Sequence, residues 1–552
     1  MRFYKKMTLW ALLPVALFCA LAGNAIAENA KNVIVLIADG CSSEQYTLAR
    51  WFKGSPLSFD ELRVGAVKTY IADSVIADSA PTASAYATGY RTSDKLISVG
   101  PKSDVLSTLS RPPQDLEYRP LATVLEGAKL KGKAVGIVAT SRVTHATPAA
   151  YMAHAPLRSM ENDIMEQAVY QNIDVVLGGG KRYLLPKEAG GVRTDGENLI
   201  DVLQARGYRI VENRDDLMAL TTGKVFGVFA KNHMEAEIDR PQTAPQQPTL
   251  AEMTRKAIEL LSQDPDGFFL MVEASQVDWA DHANDPGHLL SDLLMYDKAV
   301  QVALDFARQD GHTLLLALSD HNTGGMSLGN ASTSRTYSQL KVETLLEPLK
   351  KITMSTSRMW KDGDSGSVEG IKEMVRKGWG LDITDDIANQ ILQVARRQKD
   401  IKKGGYYALG EVLSSNYTVI GWTTHGHVGG DVPLSAFGPG RPSGVVDGPD
   451  IGKITARALG VDLDELNKTL FVDAATAFPD GQVTIDESDK NNPVVKIKVK
   501  DLTCELPVNK NILITQGSNS DLDGVVVFAP DTGKAYLPLQ AVKSIQEKTK
   551  HQ

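Results

Sequence analysis

Val33-Ile-Val-Leu-Ile-Ala-Asp-Gly40 is a continuous apolar run that stops at a carboxylate and a glycine. A strand half-exposed to water alternates apolar and polar residues. One that is apolar on both faces belongs in a sheet covered on both sides. The same texture recurs at Val135–Ala139, Val175–Leu177, Phe268–Val272 and Thr313–Leu318. Between these runs, segments such as Leu250 to Leu261 and Leu289 to Phe306 repeat at helical spacing. Strands alternating with helices predict a three-layer α/β/α sandwich around a mostly parallel sheet. Sites in such sheets form beyond the carboxyl ends of the strands. Polar residues cluster there in this sequence.

The chain has 552 residues, 43% hydrophobic and 23% charged, with a formal charge of −8. That apolar content excludes a disordered chain. The acidic balance argues against a general nucleic-acid-binding surface. Arg2, Lys5 and Lys6 precede an apolar run from Leu9 to Ala22 and then Ala25-Ile-Ala27. This reads as a secretory signal peptide over 1–27. The run is shorter than the roughly 20 residues of a membrane span, and no later stretch is long enough. The expectation is an exported protein, periplasmic or secreted, with no membrane span after cleavage. Cys41 and Cys504 then remain, two free or buried thiols rather than a disulfide framework.

The α/β texture extends over 28–479, broken at about 322–424 by a mainly helical insertion. There Val368, Ile371, Met374 and Val375 share a helical face, with Gly378 as expected C-cap. Thr384 is the expected N-cap of a second helix carrying Ile387, Ile391 and Val394. The insertion reads as a lid, an interface or extra packing. Residues 480–552 form a small β-rich C-terminal unit, marked by the strict alternation of Val495-Lys-Ile-Lys-Val-Lys500.

Asp39, Glu273 and Asp320-His321 each follow an apolar strand. Any one alone would be a helix cap or a satisfied polar residue. Asp278 and His282 are four apart and share a face if helical. His425-Gly-His427 is a weak metal signal by itself. Ser79 opens a helix, where a serine is usually a cap but where free amides also favour an anion. Arg158 alone would read as a surface ion-pair residue, although its planar fork suits phosphate. Five separate segments nevertheless bring Asp, Glu or His to apparent strand ends, and a multi-metal hydrolytic site accounts for them together.

The combination Ile37-Ala-Asp-Gly40, Asp78-Ser-Ala80, His145-Ala-Thr-Pro-Ala-Ala150 reaching Arg158, Leu177-Gly-Gly-Gly180, Glu273 through His282, Asp320-His321 and His427 resembles the alkaline phosphatase family of the secreted bacterial type. The resemblance implies hydrolysis of small phosphate monoesters through a phosphoserine formed on Ser79, with Arg158 as phosphate clamp. It implies a first Zn2+ on Asp278, His282 and His427, and a second on Asp39, Asp320 and His321. It implies a third ion, Mg2+, on Asp39, Thr147 and Glu273. His427 is preferred to His425 from its spacing to Gly438. His145 stands where some members carry Asp, so it is either a nitrogen ligand, admitting Zn2+ or Co2+ in the third position, or a hydrogen-bonding neighbour of that site. Trp279 stands where some members carry Lys and cannot supply its charge. A homodimer is implied by the resemblance alone. The competing readings are a phosphodiester or sulfate ester hydrolase on the same metals, and a non-catalytic phosphate-binding protein.

Overall fold

The computed structural model of the chain describes residues 30–550, apart from 107–108, 110–113 and 401–403. The expected signal peptide, 1–27, lies outside the described residues. Ten strands form the main sheet: β1 (Asn32–Ala38), β2 (Arg63–Lys68), β3 (Ala134–Arg142), β4 (Val175–Gly179), β5 (Arg209–Val211), β6 (Val225–Val228), β7 (Phe268–Ala274), β8 (Thr313–Leu318), β9 (Val432–Phe437) and β10 (Gly444–Asp447). Their order is β10-β2-β9-β8-β1-β7-β3-β4-β6-β5. Pairing is parallel except where β9 lies between β2 and β8.

The two-sided apolarity of β1 has a direct cause. Ile34, Leu36 and Ala38 enter one hydrophobic core, while Val33, Val35 and Ile37 enter a second on the opposite face. Alternate side chains of a strand point to opposite faces, so both sets must be apolar. β1 pairs in parallel with β7 on one side and β8 on the other. Ile37 is opposite both Glu273 and Leu318. Asp39, Glu273 and Asp320 are thereby delivered to one edge.

Within 322–424, short strands Asn322–Thr323 and Ser327–Leu328 pair with His427–Val428 and Ile420–Gly421. Helices occupy the excursion between them, including Val368–Trp379, Asp385–Asp400 and Tyr406–Tyr417. Gly378 is not the C-cap expected of it. It lies inside the first of these helices, and Gly380, at φ 63°, closes the end. Gly378 is needed for close packing instead, since a Cβ there would meet Met359 Sδ at 2.4 Å. Beyond residue 480, an antiparallel five-stranded sheet surrounds its own apolar cluster. A closing helix, Leu539–Lys550, was not foreseen in that β-rich texture. Cys41 and Cys504 are both free and buried. No helix among the described residues is long and apolar enough to cross a membrane.

The excursion is tied to the core at Asp285. Its Oδ1 accepts from the amides of Gly287 and His288, starting the long helix Pro286–Asp310. Its Oδ2 accepts from the Thr356 amide of the excursion. Asp285→Ala would strand three buried amides and should lower the unfolding free energy by about 2 kcal/mol or more. Denaturant unfolding at fixed metal concentration checks this, with Asp285→Asn, which keeps one acceptor oxygen, less affected.

Candidate active site

Ser79 is the first residue of helix α1 (Ser79–Thr88), which ends at Gly89 in the left-handed conformation. Asp78 occupies the N-cap position but makes no capping hydrogen bond. Both its oxygens instead accept from Arg158 Nη1 at 2.7 Å. Burial pushes the Asp78 carboxyl up, but the Arg158 guanidinium outweighs this and holds it below the usual range. The nucleophile candidate thus starts a helix whose cap residue has been diverted to aim an arginine.

Helix α2 (Ala146–Met152) starts after His145 and carries Thr147, and helix α3 (Gln276–His282) carries Asp278 and His282. Three sets of donors meet at the sheet edge, each with one ligand atom per residue within 4.8 Å of the others: Asp278, His282 and His427; Asp39, Asp320 and His321; and Asp39, His145 and Glu273. Thr147 is fully buried near the last set in sequence, beside His145, and its hydroxyl has no hydrogen-bond partner. Gly40 permits this convergence. It has φ 73°, and a Cβ there would stand 2.8 Å from Asp278 Oδ1 and 2.9 Å from Thr323 Oγ1.

The imidazole tautomers are fixed from behind. His282 Nδ1 donates to the carbonyl of His425 at 2.5 Å, and His427 Nδ1 donates to the carbonyl of Ala77 at 2.8 Å. Thr323 Oγ1 donates to Asp278 Oδ1 at 2.6 Å and accepts from His321 Nδ1 at 3.2 Å. Each ring is left with an Nε2 lone pair facing the site. The Nε2 atoms of His282 and His427 stand 3.2 Å apart. His321 Nε2 lies 3.1 Å from Ser79 Oγ and 3.4 Å from both Asp39 Oδ1 and Asp320 Oδ2.

Carboxylate oxygens with no donor complete the pattern. Both oxygens of Asp39, Oδ2 of Asp320 and Oε1 of Glu273 are buried without a hydrogen-bond partner. Burial, and then Asp320, Asp278 and Glu273, push the Asp39 carboxyl well above the usual range. Glu273 is pushed up to about 7, chiefly by burial. Lone pairs facing lone pairs, and buried carboxylates facing one another, are what a cation satisfies. Mixed oxygen and nitrogen donors suit zinc, and the oxygen-rich set around Glu273 suits a harder ion. The residues therefore fit bound cations.

His145 contributes differently from the other histidines. Arg158 Nη2 donates to its Nε2 at 3.1 Å, which leaves the ring proton on Nδ1. While that contact holds, His145 is a donor toward the third set rather than a cation ligand. Trp279 lies against the edge of His145, with centroids 5.6 Å apart, and against His233 at 4.2 Å.

His233 and Thr323 were missed in the sequence. His233 is a solitary histidine in a loop, and Thr323 is one hydroxyl among many; neither had a spacing signal. A fourth group, Glu166, Asp195 and Glu197, is already ion-paired with Arg193 and Lys510.

A serine hydroxyl, an aimed arginine and cation-ready donors at the edge of a covered sheet define a hydrolytic enzyme. The chain belongs to the alkaline phosphatase family, whose profile, "Alkaline phosphatase", matches residues 30–461. Alkaline phosphatase 3 of Bacillus subtilis (strain 168) is 33% identical over 488 residues, covering 83% of this chain and 98% of its own. The repressible alkaline phosphatase of Saccharomyces cerevisiae is 30% identical, covering 78% of this chain and 80% of its own. The crystal structure of Thermus thermophilus alkaline phosphatase superposes with a TM-score of 0.69 at 28% identity, covering 79% of this chain and 93% of that one. The enzyme is thus an alkaline phosphatase hydrolase, a phosphomonoesterase by family. The matched region ends before the C-terminal β unit.

Chelation should lower the thermal midpoint, because the buried carboxylates lose their counter-charge. In the metal-free protein the stability contributed by protonated Asp39 and Glu273 should also fall as pH rises. Asp39 and Glu273 sit above their usual values in the folded state, so the folded chain holds protons that the unfolded chain has released. For Glu273 that contribution is complete below about pH 4.5 and is lost as pH rises through about 7. Melting curves of chelated protein across this window, compared with metal-replete protein, check both statements.

Proposed function

We propose that the enzyme hydrolyses small phosphate monoesters through a phosphoserine on Ser79. The observation that carries this reading is the position of Ser79 Oγ, 3.1 Å from His321 Nε2 at the start of α1, beside the Arg158–Asp78 pair. In the proposed assignment Asp278, His282 and His427 hold one Zn2+, and Asp39, Asp320 and His321 hold another. Asp39, Thr147 and Glu273 hold a third ion, Mg2+, with Zn2+ or Co2+ as substitutes. Bound cations would supply Lewis-acid stabilisation of the attacking and leaving oxygens of an in-line displacement.

The chain's own groups do the rest. Ser79 Oγ forms a bond to phosphorus as the bond to the substrate alcohol oxygen breaks. The serine proton passes to solvent, and the departing alkoxide takes one up. The free amides at the start of α1 face the anionic group. Arg158 holds two phosphoryl oxygens with its planar fork, and Asp78 keeps that fork from swinging away. Water then cleaves the serine–phosphorus bond, releasing inorganic phosphate and regenerating the hydroxyl. Ionisation of the attacking groups rises with pH, so an alkaline optimum is expected. Export to the periplasm or the exterior is proposed from the leader, and a homodimer from family membership.

Release of nitrophenol from nitrophenyl phosphate should vanish on chelation and return with zinc and magnesium. Ser79→Ala should lower kcat by at least about 100-fold and abolish covalent labelling by radioactive phosphate. Arg158→Ala should lower kcat/KM by about 10–100-fold, the loss of a charged hydrogen-bond pair. Faster turnover of a diester or a sulfate with the same leaving group would overturn the monoester assignment.

A further inference from the structure

A chain of contacts joins the helical excursion to the candidate metal residues. Glu411, on the helix Tyr406–Tyr417, has its Oε2 3.0 Å from His425 Nε2. Its Oε1 accepts from Arg397 Nη2 at 2.6 Å, and its Oε2 accepts from Gln398 Nε2 at 3.2 Å. The carboxylate is therefore anchored on the neighbouring helix Asp385–Asp400. His425 Nδ1 donates to the carbonyl of His282 at 2.7 Å. In return His282 Nδ1 donates to the carbonyl of His425 at 2.5 Å. Tyr407 lies parallel to the His425 ring, with centroids 5.1 Å apart and planes 8° apart. Asn284 Nδ2 ties the same loop down, donating to the carbonyls of Asp281 and Thr424.

His425 is thus no ligand: its ring nitrogens face the His282 carbonyl and the Glu411 carboxylate, and neither faces the donor set. Its side chain holds the loop whose carbonyl fixes the His282 ring. A ring that can rotate about its Cβ–Cγ bond presents its lone pair only part of the time. A ring held at Nδ1 presents Nε2 continuously, and groups that do this are worth about 10–100-fold in metal affinity.

We infer that Glu411 and His425 are positioning residues through which the excursion sets retention of the cation held by Asp278, His282 and His427. The inference rests on the assignment of that cation in the proposed function. It makes the excursion a working part of the site and gives the first histidine of His425-Gly-His427 a role distinct from that of the second.

The test is zinc transfer from the full-length, zinc-loaded enzyme to an excess of a chromogenic chelator, followed in time. Glu411→Ala and His425→Ala should release one zinc about 10–100-fold faster than wild type. Glu411→Gln keeps an acceptor oxygen for His425 and should stay within about threefold of wild type. Asp278→Asn should hold one zinc fewer at equilibrium. Wild-type release rates in both alanine variants, with Asp278→Asn depleted, would overturn the inference and leave the cation assignment standing. A full zinc complement in Asp278→Asn would instead overturn the cation assignment. Melting of the metal-free forms separates positioning from folding. Alanine variants that match metal-free wild type support positioning, and variants that melt well below it assign the pair to fold stability and overturn the inference.

Discussion

Like charge packed at the ends of neighbouring strands is the constraint around which this enzyme is built. Asp39, Glu273 and Asp320 follow or end β1, β7 and β8, which lie side by side, and all three side chains are buried. A buried carboxylate is costly unless something of opposite charge answers it. Arg158 answers Asp78, and at Asp278 the histidines outweigh burial, but among the described residues nothing donates to Asp39. The sheet can hold such an edge because its interior is apolar on both faces and does not depend on those side chains.

Around that edge the polypeptide uses local devices rather than one rigid frame. Gly40 lets backbone approach Asp278 where any Cβ would collide. Thr323 bridges Asp278 and His321, and so couples two donor sets through one hydroxyl. Backbone carbonyls orient His282 and His427 from opposite segments. Each device is inexpensive alone. Together they turn the Nε2 atoms of His282, His321 and His427 toward the site.

The sheet was legible because strands buried on both faces leave an unmistakable apolar texture, as β1 shows. The strand-end carboxylates were legible because charge directly after such a run needs a reason. His282 could be paired with Asp278 from the four-residue spacing alone. Other features were hidden for physical reasons. Gly378 looks like a helix terminator in sequence, yet the demand on it comes from Met359, a residue on another helix. His233 reaches Trp279 only after a loop folds back, and Arg142 contacts its ring through a geometry that no spacing encodes. The division of labour between His145 and the carboxylates depends on which nitrogen faces Arg158.

The single reversed strand of the main sheet has a consequence for the order in which the molecule can be completed. β9 enters the sheet at the edge where its parallel neighbours leave it, and the segment just before it lays His427 against Thr323. A chain made from its amino end therefore possesses Ser79, Arg158 and every parallel strand up to β8 well before it possesses His427. Its first donor set cannot close until His427, on the segment leading into β9, is in place. Firm capture of the cation there would be an event of final assembly, and a molecule holding that ion has certified its own topology.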